Sequence, residues 1–116
     1  MEDQMGDELN KYNEFRAKMN KRILNSGNLE LKRFIALDKN AYKDGALPAS
    51  TKELLGLAAS LVLRCDDCIT YHLTRCVELG FSDEQLYEAF NVALVVGGSI
   101  VIPHLRKAFF TLEELS

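Results

Sequence analysis

Helix breakers are scarce in this chain: two prolines and seven glycines in 116 residues. Sustained alternation of apolar and polar residues is absent as well, so no sheet is expected. No apolar run approaches the roughly 20 residues that would span a bilayer. The segment Met1 to Asn10 is acidic and polar and lacks the basic start and apolar core of a signal peptide. A net charge of −3 gives no electrostatic reason to expect nucleic acid or an anionic membrane as partner. Cysteine is limited to three residues, which in a reducing compartment do not make a disulfide framework. No internal repeat or low-complexity segment is present. These absences leave a cytoplasmic, all-α protein, expected to be one domain spanning residues 1–116. A chain of that length buries roughly 65% of its unfolded surface, enough for one modest core.

What is present is helical periodicity. Met5 to Asn25 is highly charged but carries Leu9, Tyr12, Phe15, Met19 and Ile23 at three-and-four spacing. It reads as an amphipathic N-terminal helix within residues 1–27, able to lie over the domain or against a neighbouring subunit. Asn28 is a candidate N-cap for a second helix, Leu29 to Tyr42, with Leu31, Phe34, Ile35, Leu37 and Ala41 as its buried side. The core is expected over residues 47–112. Ser50-Thr51-Lys52-Glu53 has the form of a capping box opening a third helix, Thr51 to about Leu63, apolar nearly all round. A turn at Arg64 to Asp67 leads into a fourth helix that stops at Gly80. Ser82 and Gln85 form a second capping box for a fifth, beginning at Asp83 and ending near the Gly97-Gly98 pair. A last helix, Ile100 to about Leu112, contains Pro103, which a first turn tolerates.

The chemistry is concentrated in Cys65-Asp66-Asp67-Cys68-Ile69-Thr70-Tyr71-His72. Cysteines three apart share a helical face, with Cα atoms about 5 Å apart, within reach of a disulfide. At a helix N-terminus the macrodipole and free N–H groups favour thiolate over thiol. His72 lies one turn beyond Cys68 and is placed to take the thiol proton. Cys68 is therefore the candidate nucleophile. Cys65, two turns from the histidine, is the resolving thiol that closes the disulfide. Cys76 continues the same stripe and reads as a small buried residue. His104 reads as structural. Zinc is rejected on geometry. Cys65, Cys68, His72 and Cys76 lie along one helix, and at 1.5 Å rise the first and last are about 16 Å apart. No metal is expected.

Glu53, Cys65, Cys68 and His72 resemble the Glu…Cys-x-x-Cys-x-x-x-His signature of alkylhydroperoxidase D-like proteins, within the carboxymuconolactone decarboxylase family. Residues 78–84 and the fifth helix are similar too, so the resemblance covers about Leu47 to Phe110. It implies an all-α fold of about six helices, assembled as a homotrimer or homohexamer. It also implies the division of labour in the site. Cys68 attacks a hydroperoxide or disulfide substrate, Cys65 resolves, and Glu53 with His72 relays the proton, often through water. An external dithiol of protein or lipoyl type supplies electrons, with no cofactor beyond the Cys65–Cys68 disulfide. Glu53 can serve this relay and a capping box together. One position departs from the best-studied peroxidases: Asp67 stands where they carry histidine, and an anion there opposes thiolate formation. Two other functions remain open on the sequence. One is a decarboxylase-type lyase, although that branch typically lacks the cysteine pair. The other is a non-enzymatic, redox-sensing helical oligomer.

Overall fold

The computed structural model describes residues 6–116. Met1 to Met5, and with them part of the acidic segment weighed against a signal peptide, lie outside the described residues. Within them the chain forms α1 (Asp7–Leu24), α2 (Leu29–Ala41), α3 (Ala49–Leu63), α4 (Asp66–Glu78), α5 (Asp83–Gly97), a 3-10 turn (Ser99–Val101) and α6 (Ile102–Leu115), with no strand. Among the described residues, no helix is long and apolar enough to cross a membrane.

The bundle that carries the site is α3 to α6. Helix α3 packs against α4 and α5, and α4 against α6. Their shared core comprises Leu57 and Leu61 of α3, Ile69, Leu73 and Cys76 of α4, and Leu86, Phe90 and Ala93 of α5. Val101 and Ala108 close it. On α4 the buried positions 69, 73 and 76 recur at three-and-four spacing, so one stripe of that helix faces inward and its flanks are free for chemistry. The capping box at Ser82 and Gln85 forms as expected. The glycine pair makes a turn and a close approach. Gly98 adopts φ 83°, and a Cβ on Gly97 would meet Val101 Cγ2 at 2.6 Å.

Two expectations need correction. The capping box at Ser50–Glu53 does not form. Helix α3 begins earlier, at Ala49, whose N–H is capped by Asp44 Oδ1 at 2.7 Å, and Glu53 is drawn into the interior instead. Helix α3, whose all-round apolar character is expected to be buried in the domain or in an oligomer, leaves Leu55 and Leu63 56% and 76% exposed within the single chain. Helix α2 has the expected Asn28 cap, which accepts from the Leu31 N–H at 3.1 Å, but no buried side. Leu31, Phe34 and Leu37 face outward, because α2 lies against α1 and apart from the bundle core. Periodicity identified its apolar face correctly, but nothing among the described residues covers it.

Helix α1 reaches the bundle through its first turns. The Leu9 side chain is buried and its N–H donates to Glu114 Oε1 at 3.0 Å, while Gly6 N–H donates to the Glu114 carbonyl. Further along, the Tyr12 hydroxyl donates to the Asp67 carbonyl at 2.9 Å, and the Arg16 guanidinium sits 4.0 Å over the Tyr71 ring. Helix α1 therefore braces the outer side of α4 rather than contributing to the core.

Candidate functional site

The site begins with how α3 gives way to α4. Arg64 adopts a left-handed conformation, φ 62°, the position where glycine is usual. Its N–H donates to the Leu61 carbonyl, and Cys65 N–H donates to the Ser60 carbonyl. Together these bonds close the end of α3 in a Schellman-type turn. The residue completing that turn, Cys65, is also the N-cap of α4. Its sulfur accepts from the Cys68 N–H at 3.3 Å, satisfying one of the free donors of the first turn. The hinge between two helices thus fixes the first thiol where the α4 amides converge. Cys65 and Cys68 are paired as a disulfide with Cα atoms 5.3 Å apart. Cys68 is exposed and Cys65 partly so.

One turn further along α4, His72 Nδ1 lies 2.8 Å from Glu53 Oε1. Glu53 is only 4% exposed and reaches His72 from the facing surface of α3. With Glu53 ionised, Nδ1 carries the proton it donates, and the ring's lone pair is on Nε2. The Tyr42 hydroxyl lies 3.3 Å from Nε2, with the two rings 5.2 Å apart. Arg75 Nε stands 3.9 Å from Glu53 Oε2 while its guanidinium bonds Glu78 at 2.6 Å. The Glu78 hydrogen bond is the largest influence keeping Arg75 charged, and Glu53 adds to it. Burial raises the Tyr42 hydroxyl above its ordinary pKa, and the charge of Glu53 pushes the same way, so it remains a donor at neutral pH.

Cys76, at the inner end of the stripe, is fully buried. Burial first and the Glu53 charge second push its thiol up to about 12. It is a packed, protonated side chain. His104 pairs with Asp66 Oδ1 at 2.7 Å and so ties α6 to the start of α4. Lys107, in the middle of α6, lies 3.5 Å from the other Asp66 oxygen.

Of the residues singled out from the sequence, Glu53 and His72 touch, Cys65 and Cys68 are bonded, and His72 rises from Cys68 by one turn of α4. No hydrogen bond joins His72 to Cys68, because Nδ1 and Nε2 are taken by Glu53 and Tyr42. Sequence reasoning missed Tyr42, Arg75 and Gly56. A Cβ on Gly56 would lie 2.8 Å from both His72 Cε1 and the Tyr42 hydroxyl, so only glycine leaves room for that contact. A lone glycine inside an apolar helix, costing about 1 kcal/mol relative to alanine, was the one signal available. Tyr42 had none, since no spacing relates it to α4.

The arrangement is an all-helical protein with a dithiol at a helix start and a buried carboxylate–histidine pair one turn above. The chain belongs to the carboxymuconolactone decarboxylase family, whose profile matches residues 29–110, from α2 into α6. Two crystal structures of one Thermotoga maritima protein are similar at 59% and 58% identity, with TM-scores of 0.88 and 0.86. Each covers 90% of this chain, and 92% and 89% of the respective solved chain. That protein is described as a member of the same family for which involvement in an antioxidative response has been suggested. A family member from Legionella pneumophila, solved in its apo form, has a TM-score of 0.85 at 27% identity and covers 96% of this chain and 99% of its own. A functionally uncharacterised protein of the Paracoccus denitrificans cox locus is 35% identical over 82 residues, 71% of this chain and 74% of its own length.

Proposed function

We propose that this protein is a cytoplasmic thiol-dependent oxidoreductase of the alkylhydroperoxidase D-like type. The observation that carries the reading is the 2.8 Å contact between buried Glu53 and His72, one helical turn from a bonded Cys65–Cys68 pair. In the reduced protein His72 takes the Cys68 thiol proton, and Glu53 stabilises the resulting imidazolium. The Cys68 thiolate attacks the distal oxygen of a hydroperoxide. The O–O bond breaks, the leaving alkoxide takes the proton held by His72 and departs as an alcohol, and Cys68 becomes a sulfenic acid. Cys65 then displaces water from that sulfur, forming the disulfide. A dithiol donor, itself oxidised to a disulfide, restores both thiols by exchange. A disulfide substrate enters at the same thiolate. Electrons travel through the cysteines throughout, without flavin, haem or nucleotide.

The exposed apolar residues support a homo-oligomer, trimeric or hexameric. Phe34 is 67% exposed, Leu63 76% and Val95 85%, more large apolar surface than an isolated small domain ordinarily leaves in water. The cysteine pair is what disfavours the lyase reading. The test is peroxide-dependent oxidation of a dithiol by wild type and Cys68→Ser. Complete loss in the variant is expected, and full turnover by Cys68→Ser would refute the mechanism. Reaction of the reduced protein with peroxide no faster than that of free cysteine would leave a sensing or structural role instead.

A further inference from the structure

Tyr42 has no part in the signature on which the relay was recognised, yet among the described residues it makes the hydrogen bond to the Nε2 end of His72. It comes from a different element, the C-cap of α2, and reaches across to α4. The contact is built into the packing. Gly56 on α3 leaves the space, since any Cβ there would lie within 2.8 Å of both partners. We propose that Tyr42 is a positioning residue of this relay, whose hydroxyl holds the proton-accepting nitrogen of His72 in both of its protonation states. The proposal rests on the relay reading above.

The argument is one of elimination at the ring. Glu53 occupies Nδ1, so a proton taken up by His72 must enter at Nε2. While His72 is neutral, the Tyr42 O–H donates to the Nε2 lone pair. The hydroxyl first turns its proton off that lone pair, Nε2 then takes the proton released as the Cys68 S–H bond breaks, and the new N–H donates back to the same tyrosine oxygen. A hydroxyl both donates and accepts, so one tyrosine oxygen can serve both states of the ring without changing charge. The ring therefore keeps its position through the proton transfer instead of swinging to find a new partner. The groups facing this hydroxyl are Glu53 from α3, His72 and Tyr71 from α4, and Asp38 from its own helix. Its elevated pKa keeps the phenol neutral across the working range.

The test compares reduced wild type, Tyr42→Phe, Gly56→Ala and His72→Ala. Tyr42→Phe retains the ring contact and removes only the hydroxyl. Gly56→Ala retains the hydroxyl and forces the two groups apart on a helix that alanine favours. The first readout is the Nε2 nitrogen resonance of His72, which in both variants should move toward that of an unbonded lone pair. The second is the pH profile of the rate with a small aromatic disulfide, which should fall about tenfold in both below the thiol pKa. An unchanged resonance and an unchanged profile in Tyr42→Phe overturn the proposal. If His72→Ala also reacts like wild type, the relay itself is refuted. If His72→Ala is slow and Tyr42→Phe is not, only the role of Tyr42 falls.

Discussion

The structure holds two carboxylate–histidine pairs of almost equal geometry, Glu53–His72 at 2.8 Å and Asp66–His104 at 2.7 Å, both anchored on α4. Distance does not separate them; surroundings do. The side chains of Glu53 and His72 are 5% and 12% exposed, against 37% and 21% for Asp66 and His104. Glu53 has little else to pair with, Arg75 standing at 3.9 Å, whereas Asp66 has Lys107, solvent and the favourable dipole at the start of α4. In the inner pair each partner depends on the other, and the histidine's second nitrogen is held by Tyr42. In the outer pair the carboxylate is satisfied without its histidine, and the contact serves to dock α6. A short carboxylate–histidine contact is therefore not by itself a sign of chemistry.

The largest test of this contrast is His72→Ala. It strands a buried carboxylate, so a loss of about 3 kcal/mol in unfolding free energy is expected by urea titration. The rate of thiol–disulfide exchange should fall together with it. A cost below that of a surface substitution would mean Glu53 is not dependent on its histidine, and the contrast would collapse.

An intermediate effect is expected at alkaline pH, from the burial around the inner pair. Cys76 is raised from 9.0 to about 12 by burial first and by Glu53 second. Below pH 9 the thiol is protonated in both folded and unfolded chains. Between 9 and about 12 the unfolded chain loses that proton while the folded one retains it, so stability falls as pH rises. On the order of 2 kcal/mol should disappear between about pH 8 and pH 11 in the oxidised protein. The fall should be shallower in Cys76→Ala, compared by urea midpoints at each pH. Equal slopes would show that water reaches this end of α4 and that the inner pair is less sealed than its exposure indicates.

The smallest effect belongs to the outer pair. His104→Ala should cost about 1 kcal/mol or less, because Asp66 retains Lys107 and water. Thiol reactivity should be unchanged when assayed with a small aromatic disulfide. A loss of reactivity as large as that of His72→Ala would make the two pairs equivalent.

Much of the fold was legible in the chain because helix ends and faces are local properties. Asn28 caps α2 and Ser82 with Gln85 caps α5, each through residues three apart. Ser50–Glu53 had the same local form and failed. A glutamate can satisfy its own first turn or a histidine on another helix, and burial opposite His72 decided for the latter. The α2 stripe failed differently. Its periodicity is real, but a stripe records only that something apolar should cover it, and nothing among the described residues does.

The sequence by itself determined the six helices, the placement of Cys65, Cys68 and His72 on one helical surface, and the resemblance that brought Glu53 into the site. All of these follow from spacing along one segment or from a signature of residue types. Only the tertiary structure decided that Cys65 closes one helix while opening the next. It also brought Tyr42 to the far nitrogen of His72 through the gap at Gly56, and left Asp66–His104 as a tether. Those outcomes depend on how α2, α3 and α6 approach α4. Side chains far apart in sequence meet only once the core has set the distances between helices, which no spacing within a single helix encodes.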